Sequence, residues 1–331
     1  MLGCSTVTLW ALLTNRTPTH RVQTGVRAES QRQLSPAAKR ASSYAVGLRE
    51  LRLVDSSRAI QLPDGASEPR VLLTYVRYPA LGPATRVDLH DVPAARSDGP
   101  FPLVVFGHGF AVSPALYERL LQAWARAGYV VAAPVFPLEN PSAPGGPDES
   151  DLVNQPADMS FVISRLLAAS DAPAGPLAGL VDPKRIAVAG QSDGGDTALA
   201  TAYDPRFRDR RVDAAIILSG AEIPAAGSFA FPASGPPLLA TQGTADTINP
   251  PSATNAFFGA APRPKYLLTL LGAEHLPPYS YEQPQLGIVE RVTTAFLNGY
   301  LKNSAAALRE LPTRGDVTNL ATLLAEPQTD G

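Results

Sequence analysis

The stretch IAVAGQSDGGDTALAT, residues 186–201, decides the fold class of this 331-residue chain. It opens with the short apolar run of a buried strand and closes with the small and apolar residues of a helix. Between them, residues 190–194 fit Gly-x-Ser-x-Gly. A strand, a sharp glycine-flanked turn and a helix form the setting that exposes a serine hydroxyl at the tip of the turn. The pattern predicts that Ser192 is a nucleophile, and the alternative is a glycine-rich turn into an ordinary helix.

Strands and helices alternate on both sides of this stretch. Apolar runs predict strands at Leu103–Phe106, Tyr129–Val135, Arg185–Ala189, Ala214–Leu218, Leu238–Thr241 and Tyr266–Leu271. Helical periodicity predicts helices between Ser113 and Gly128, from Pro156 onward, over 193–202, near 252–259 and over about 284–301. Such alternation requires a mostly parallel sheet with helices on both faces. Earlier runs predict antiparallel strands at Leu48–Ile60 and Arg70–Tyr78, with another short strand at Thr85–Leu89.

Composition divides the chain into three parts. Residues 1–45 are basic with poor apolar periodicity, which indicates a leader or a disordered arm. The α/β pattern predicts one catalytic domain over residues 46–302. Residues 303–331 read as a polar, alanine-rich C-terminal tail, in which Leu320–Leu324 belongs either to a docking helix or to a frayed end.

Charge and cysteine content exclude several classes of function. Lys and Arg number 28 against 30 Asp and Glu, so no nucleic-acid surface is expected. The single cysteine, Cys4, allows neither an intramolecular disulfide nor a thiolate metal site, and the four histidines lack metal-ligand spacing. We therefore expect no metal and no cofactor. No run approaches 18 apolar residues, so no transmembrane span is expected, and the sequence predicts no particular oligomeric state.

The first residues leave the cellular location open. Residues 1–5 resemble the end of a bacterial lipoprotein cleavage site, but no charged and apolar leader precedes Cys4. One alternative is a secreted or lipid-anchored protein whose true start lies upstream. The other is a cytoplasmic protein in which Cys4 is incidental.

A serine hydroxyl is a weak nucleophile until a base removes its proton. The chain has four histidines, His20, His90, His108 and His275, and only His275 follows Ser192. That order matches the succession of serine, acid and histidine in strand-turn-helix hydrolases. His275 also follows the last predicted strand, where catalytic residues of open α/β sheets collect. It is therefore the predicted base.

The acid should lie between Ser192 and His275. The candidates are Asp193, Asp196, Asp204, Asp209, Asp213, Glu222, Asp246 and Glu274. Asp246 is favoured because it follows the strand Leu238–Thr241, whereas Asp193 and Asp196 belong to the turn and its helix. Glu274 is adjacent to His275 and would have to fold back to reach the ring.

Two backbone amides are expected to bind the oxyanion. One is the N–H of Asp193, directly after the nucleophile. The other is the N–H of Phe110 in the loop 107–110 after Leu103–Phe106. His108 is expected to be mainly structural within that loop, although it could also border the substrate pocket. The other predicted pocket residues are Phe229, Phe231, Leu276 and Tyr279, with Tyr281 nearby; for these aromatic residues, packing is an equal alternative.

Residues 108–110, residues 190–194, Asp246 and His275, in this order, resemble the α/β-hydrolase superfamily. Residues 70–79, 106–109 and 131–137 resemble the group containing platelet-activating-factor acetylhydrolases, chlorophyllases, dienelactone hydrolases and polyester hydrolases. The resemblance implies a carboxylic-ester hydrolase that acts on a small-molecule ester through an acyl-enzyme. An acyltransferase, a peptidase and a non-catalytic binding protein of the same fold remain alternatives.

Two features depart from polyester hydrolases. Asp193 stands where many relatives carry Met, His or Gln, and its carboxylate would oppose a developing negative charge. The segment after Ile216–Leu218 also lacks the tryptophan that those enzymes use to clamp an aromatic ring.

Overall fold

The computed structural model describes residues 43–223 and 229–328, so Cys4 and nearly all of the predicted arm at 1–45 lie outside the described residues. The strands are β1 (Ala45–Gln61), β2 (Ser67–Ala80), β3 (Leu89–His90), β4 (Phe101–Gly107), β5 (Val130–Pro134), β6 (Val181–Gln191), β7 (Ala214–Leu218), β8 (Leu238–Gly243), β9 (Lys265–Leu270) and β10 (Ala321–Glu326). The helices are α1 (Glu118–Arg126), α2 (Gln155–Asp171), α3 (Asp193–Tyr203), α4 (Pro251–Ala260), α5 (Pro277–Ser280), α6 (Gln285–Leu301) and α7 (Ala305–Gly315).

All ten described strands form one sheet in the order β10-β9-β8-β7-β6-β4-β5-β2-β1-β3. The central strands β5, β4, β6, β7, β8 and β9 are mutually parallel. The β1–β2 hairpin is antiparallel, and β2 pairs antiparallel with β5. The prediction of a mostly parallel sheet preceded by antiparallel strands is confirmed.

Two apolar cores cover the two faces of the sheet. Because successive strand residues point to opposite faces, Leu103 and Val105 of β4 enter one core, whereas Val104 and Phe106 enter the other. The first core also contains side chains of α2, α3 and α4. The second contains side chains of α1, α5, α6 and α7. This three-layer packing leaves the carboxyl ends of the parallel strands as the edge where loops converge.

The chain after residue 302 continues the domain instead of forming a separate tail. The helix α7 is capped by Ser304, whose hydroxyl accepts a hydrogen bond from the N–H of Ala307 at 3.2 Å. The strand β10 pairs antiparallel with β9, from Ala321 opposite Leu270 to Glu326 opposite Lys265. Ala321 and Leu323 are buried, so the segment expected as a docking helix or a frayed end completes the sheet edge as a strand.

Two further differences are local. The strand expected at Thr85–Leu89 is reduced to β3, which pairs parallel with β1 over two residues. The loop after β5 contains a 3₁₀ helix at Glu149–Asn154, which ends where α2 begins. No helix among residues 43–223 and 229–328 has both the length and the apolarity needed to cross a membrane.

Candidate active site

Ser192 occupies a strained turn between β6 and α3. Its φ of 55° and ψ of −128° place a non-glycine residue in a sparsely populated backbone region. The turn is held because the Ser192 N–H donates to Leu218 O at 3.0 Å and the Ser192 carbonyl accepts from the Asp196 N–H at 2.9 Å. The result is a hydroxyl at the N-terminus of α3, where the helix dipole favours negative charge.

Glycines are required around this turn because backbones approach one another closely. A β-carbon at Gly190 would collide with the carbonyl of Gly194, and one at Gly194 would collide with the carbonyl of Gly107. The two glycines of the Gly-x-Ser-x-Gly pattern are therefore needed for two close backbone contacts, one within the turn and one between the turn and the end of β4.

His275 lies between Ser192 and Asp246. Its Nε2 is 2.9 Å from Ser192 Oγ, and its Nδ1 is 2.8 Å from Asp246 Oδ2. A carboxylate can only accept, so Nδ1 carries the proton and Nε2 is an acceptor. Nε2 faces the Ser192 hydroxyl and, at 3.3 Å, the Gln191 amide nitrogen. The structure thus brings together three side chains that follow β6, β8 and β9 and are separated by up to 83 residues.

Asp246 is held in its ionised form. Burial alone would raise the pKa of Asp246, but the hydrogen bond and charge interaction with His275, together with the backbone N–H groups of Ile248 and Asn249, hold the pKa below its usual range. The backbone N–H groups of Ile248 and Asn249 add two hydrogen bonds to Oδ1 at 3.0 Å. The Gln242 amide donates to Oδ2 at 3.2 Å. The other proposed acids, from Asp193 to Glu274, make no hydrogen bond to His275 among the described residues.

The N–H groups of Phe110 and Asp193, the predicted oxyanion donors, are both without a hydrogen bond to the described residues. Phe110 follows β4, and no hydrogen bond between described residues occupies its N–H. Asp193 is the first residue of α3, so its N–H has no partner within the helix. Both lie at the edge that presents Ser192.

His108 is fully buried and does not border a pocket. Its Nδ1 lies 2.8 Å from Gly109 O, and its Nε2 accepts from the Phe136 N–H at 3.0 Å. Burial lowers the pKa of His108 to about 4, so the ring is neutral and joins the loop after β4 to the end of β5. With both nitrogens bonded inside the protein, this side chain offers nothing to a substrate.

The other predicted pocket residues serve mainly as packing. Phe231 stacks against Tyr203 with ring centroids 5.1 Å apart, and Phe229 stacks on Phe231 at 4.9 Å. Tyr279 is fully buried, and its hydroxyl is 2.8 Å from Ser219 Oγ. Leu276 packs against the core beside α6, whereas Tyr281 is 65% exposed.

A groove of about 560 Å³ adjoins Phe110 instead. The tip of the β1–β2 hairpin and the loop after β5 form its walls. Its apolar lining residues are Leu62, Pro63, Phe110, Leu138, Pro144 and Pro147.

Gln191 and Tyr117 form a buried link that the sequence pattern did not reveal. The Tyr117 hydroxyl donates to Gln191 Oε1 at 2.7 Å and accepts from the Gly109 N–H at 3.3 Å. Gln191 Nε2 donates to the carbonyl oxygen of His275 at 3.1 Å. Gln191 occupies the variable position before the serine in the Gly-x-Ser-x-Gly pattern. Through Tyr117, it connects the loop of Phe110 to the backbone of His275.

The loop between β5 and α2 is anchored by a buried ion network. Arg70 on β2 is 2% exposed; it contacts Asp151 at 2.5 Å and Asp158 at 2.6 Å. At the start of the loop, the carbonyl of Glu139 accepts from the Ala111 N–H at 2.8 Å. The start of this loop is thus tied to the loop after β4, and its end is tied to β2.

Part of the sequence is similar to a known protein family. The family model for chlorophyllase matches residues 89–245, which include Phe110, Ser192 and Asp193 and end just before Asp246. A search of curated proteins finds no match. The family match and the sheet topology agree with the superfamily resemblance and point to a hydrolase that acts on esters.

Proposed function

We propose, from the premise that this chain is an α/β-hydrolase, that it is a serine-dependent carboxylic-ester hydrolase. The observation that carries the proposal is the hydrogen-bonded series from Ser192 through His275 to Asp246. In this series an otherwise weak nucleophile meets a base whose tautomer is set by a carboxylate.

The proposed reaction has two acyl-transfer steps. Ser192 Oγ attacks the ester carbonyl carbon while its proton moves to His275 Nε2, and the oxyanion accepts hydrogen bonds from the N–H groups of Phe110 and Asp193. The tetrahedral intermediate collapses, His275 returns the proton to the leaving alcohol, and an acyl-enzyme remains. A water that gives its proton to His275 then attacks the acyl carbon, and collapse releases the acid and restores the Ser192 hydroxyl.

The groove beside Phe110 supports an organic substrate with an apolar part. Leu62, Phe110 and Leu138 contribute apolar surface next to the proposed oxyanion site. A ligand pocket of several hundred Å³ suits a small molecule. We propose that one arm of the ester lies in this groove.

The test combines active-site labelling with turnover. The purified protein is treated with a fluorophosphonate probe, and hydrolysis of phenyl acetate is measured before and after labelling. We expect a stoichiometric adduct on Ser192 and complete loss of hydrolysis, because only an activated serine reacts. An unlabelled protein without ester turnover would refute the proposal. Turnover of a peptide or transfer to an added alcohol, in preference to hydrolysis of the ester, would favour the peptidase or acyltransferase alternative.

A further inference from the structure

Three buried side chains near Ser192 leave polar atoms without partners. Both carboxyl oxygens of Glu139, Oδ2 of Asp193 and Nε2 of Gln155 have no hydrogen bond among the described residues. Glu139 and Gln155 are fully buried, and Asp193 is 8% exposed. Buried polar groups are normally paired, so this concentration beside a nucleophile requires an explanation.

Three elements bring these side chains to the proposed oxyanion site. Glu139 lies on the loop after β5, and its carbonyl binds the N–H of Ala111, the residue after Phe110. Asp193 follows Ser192 directly. Gln155 begins α2 and is oriented by Thr197 of α3, whose hydroxyl donates to Gln155 Oε1 at 2.8 Å. Asp193 therefore bears one proposed oxyanion donor itself, and Glu139 is bonded through its backbone to the residue after the other, Phe110. The Asp193 carboxyl also accepts a long hydrogen bond from the Ser192 hydroxyl at 3.5 Å, through Oδ1.

The surroundings favour a proton on Glu139. Burial, and next the charge of Asp193, raise the pKa of Glu139 to about 8, with smaller contributions from Asp151 and Glu149 and a partial offset by Gln155. Burial and the charge of Glu149 raise the pKa of Asp193 to about 6, while His275 opposes the rise.

The other titratable groups around Glu139 and Asp193 do not supply a positive charge that would offset these two carboxyls. Asp196 on α3 is a further buried acid near Asp193. His108, on the neighbouring loop, is neutral with both nitrogens bonded. Arg70 is engaged by Asp151 and Asp158. Within the described chain, no three His, Cys, Asp or Glu side chains are arranged to hold a metal ion.

We propose that Glu139 is a positioning residue that must carry a proton for Ser192 to react. Neutral Glu139 limits the negative charge near the N–H groups of Phe110 and Asp193 to one carboxylate. When Glu139 releases its proton to solvent, a second carboxylate opposes the oxyanion that forms in the transition state. The inference rests on the proposed ester hydrolysis and adds a charge requirement that the triad alone does not contain.

The experiment is the pH profile of kcat for phenyl acetate, which has no titratable group, in the wild type and three variants. We expect wild-type kcat to fall above about pH 8, the value at which Glu139 ionises. In Glu139→Gln this fall disappears, because the amide cannot ionise. In Asp193→Asn it moves to lower pH, because the neighbouring charge no longer opposes ionisation of Glu139. If Glu139 had a purely structural role, Glu139→Gln would not abolish the alkaline fall of kcat and Asp193→Asn would not move it to lower pH.

Glu290→Gln is the matched control. Glu290 on α6 is another carboxyl whose pKa is raised by burial, but it borders a different pocket, lined by residues of α1, α6 and α7. Its variant should keep the wild-type profile. The proposal is overturned if Glu139→Gln retains the same alkaline fall as the wild type. Such a failure is separable from failure of the proposed function, since hydrolysis and Ser192 labelling would persist.

A spectroscopic measurement covers the case in which Glu139→Gln does not fold. The ¹³C resonances of glutamate carboxyls are titrated in the wild type and in Asp193→Asn. One glutamate titrating near pH 8 in the wild type, and at lower pH in the variant, supports the proposal. If every glutamate carboxyl titrates in its ordinary acidic range, the proposal is wrong.

Discussion

Two buried carboxyl regions flank Ser192, and their surroundings shift the carboxyl pKa values in opposite directions. Asp246 accepts hydrogen bonds from His275, Gln242 and two backbone N–H groups, and its pKa is lowered. Asp193 accepts a long hydrogen bond from the Ser192 hydroxyl at 3.5 Å, whereas its Oδ2 and both carboxyl oxygens of Glu139 have no partner among the described residues. Burial raises the pKa of both acids. Burial alone therefore does not decide the charge of an acid; the donors aimed at it do.

The largest expected effect is the loss of the nucleophile that both regions serve. Ser192→Ala should lower kcat for phenyl acetate by roughly 10⁴–10⁶, as removal of the nucleophile does in serine hydrolases. Circular dichroism of the variant controls for folding. Turnover close to the wild-type value would mean that neither carboxyl region acts on a catalytic serine.

The comparison between the two regions is tested by paired asparagine variants. Asp246→Asn should lower kcat by on the order of 10⁴, because the amide no longer sets the His275 tautomer or stabilises its positive charge. Asp193→Asn should cause a far smaller loss at neutral pH, because its contribution to the oxyanion site is a backbone N–H. The measurement is kcat of the two variants at one pH. A larger loss in Asp193→Asn than in Asp246→Asn would contradict the assignment of Asp246 as the acid that orients His275.

The buried ion network of Arg70, which holds the loop between β5 and α2, is tested by measuring the stability of a variant. Arg70→Ala leaves Asp151 without an ion-pair partner and Asp158 with Arg58 alone, so the free energy of unfolding should fall by about 3–5 kcal/mol. Arg314→Ala, which breaks an exposed pair with Glu310 on α7, should cost only about 0–1 kcal/mol. Urea unfolding of both variants gives the comparison. Equal small losses would show that the loop is not held by the buried network.

The smallest expected effect concerns Gln191, which links the loop of Phe110 to the backbone of His275. Gln191→Ala removes the connection from Tyr117 to the His275 carbonyl, and kcat should fall roughly 10- to 100-fold through misplacement of the ring. Gln122→Ala, which removes a hydrogen-bonded glutamine on α1, is the control and should leave kcat near the wild-type value. A wild-type kcat in Gln191→Ala would show that His275 is positioned without this link.

Residues close together in sequence account for most of what could be predicted. The strand-turn-helix setting of residues 186–201 was visible because a buried strand and a helix have distinct periodicities. The order of Ser192, Asp246 and His275, each after a strand, predicted which side chains would meet. The predicted pocket was less successful, because a sequence does not show which loop residues pack inward. Tyr279 and His108 are buried for that reason.

The sequence by itself determined the α/β architecture and indicated which three side chains, Ser192, Asp246 and His275, would meet, because apolar periodicity and strand ends are local properties. Only the tertiary structure decided that residues 321–326 complete the sheet, that Gln191 joins two loops, and that Glu139 lies unpaired near Asp193. These features depend on contacts between residues distant in the chain. The charge of a buried carboxyl, in particular, depends on the donors that folding places around it, and no residue pattern records them.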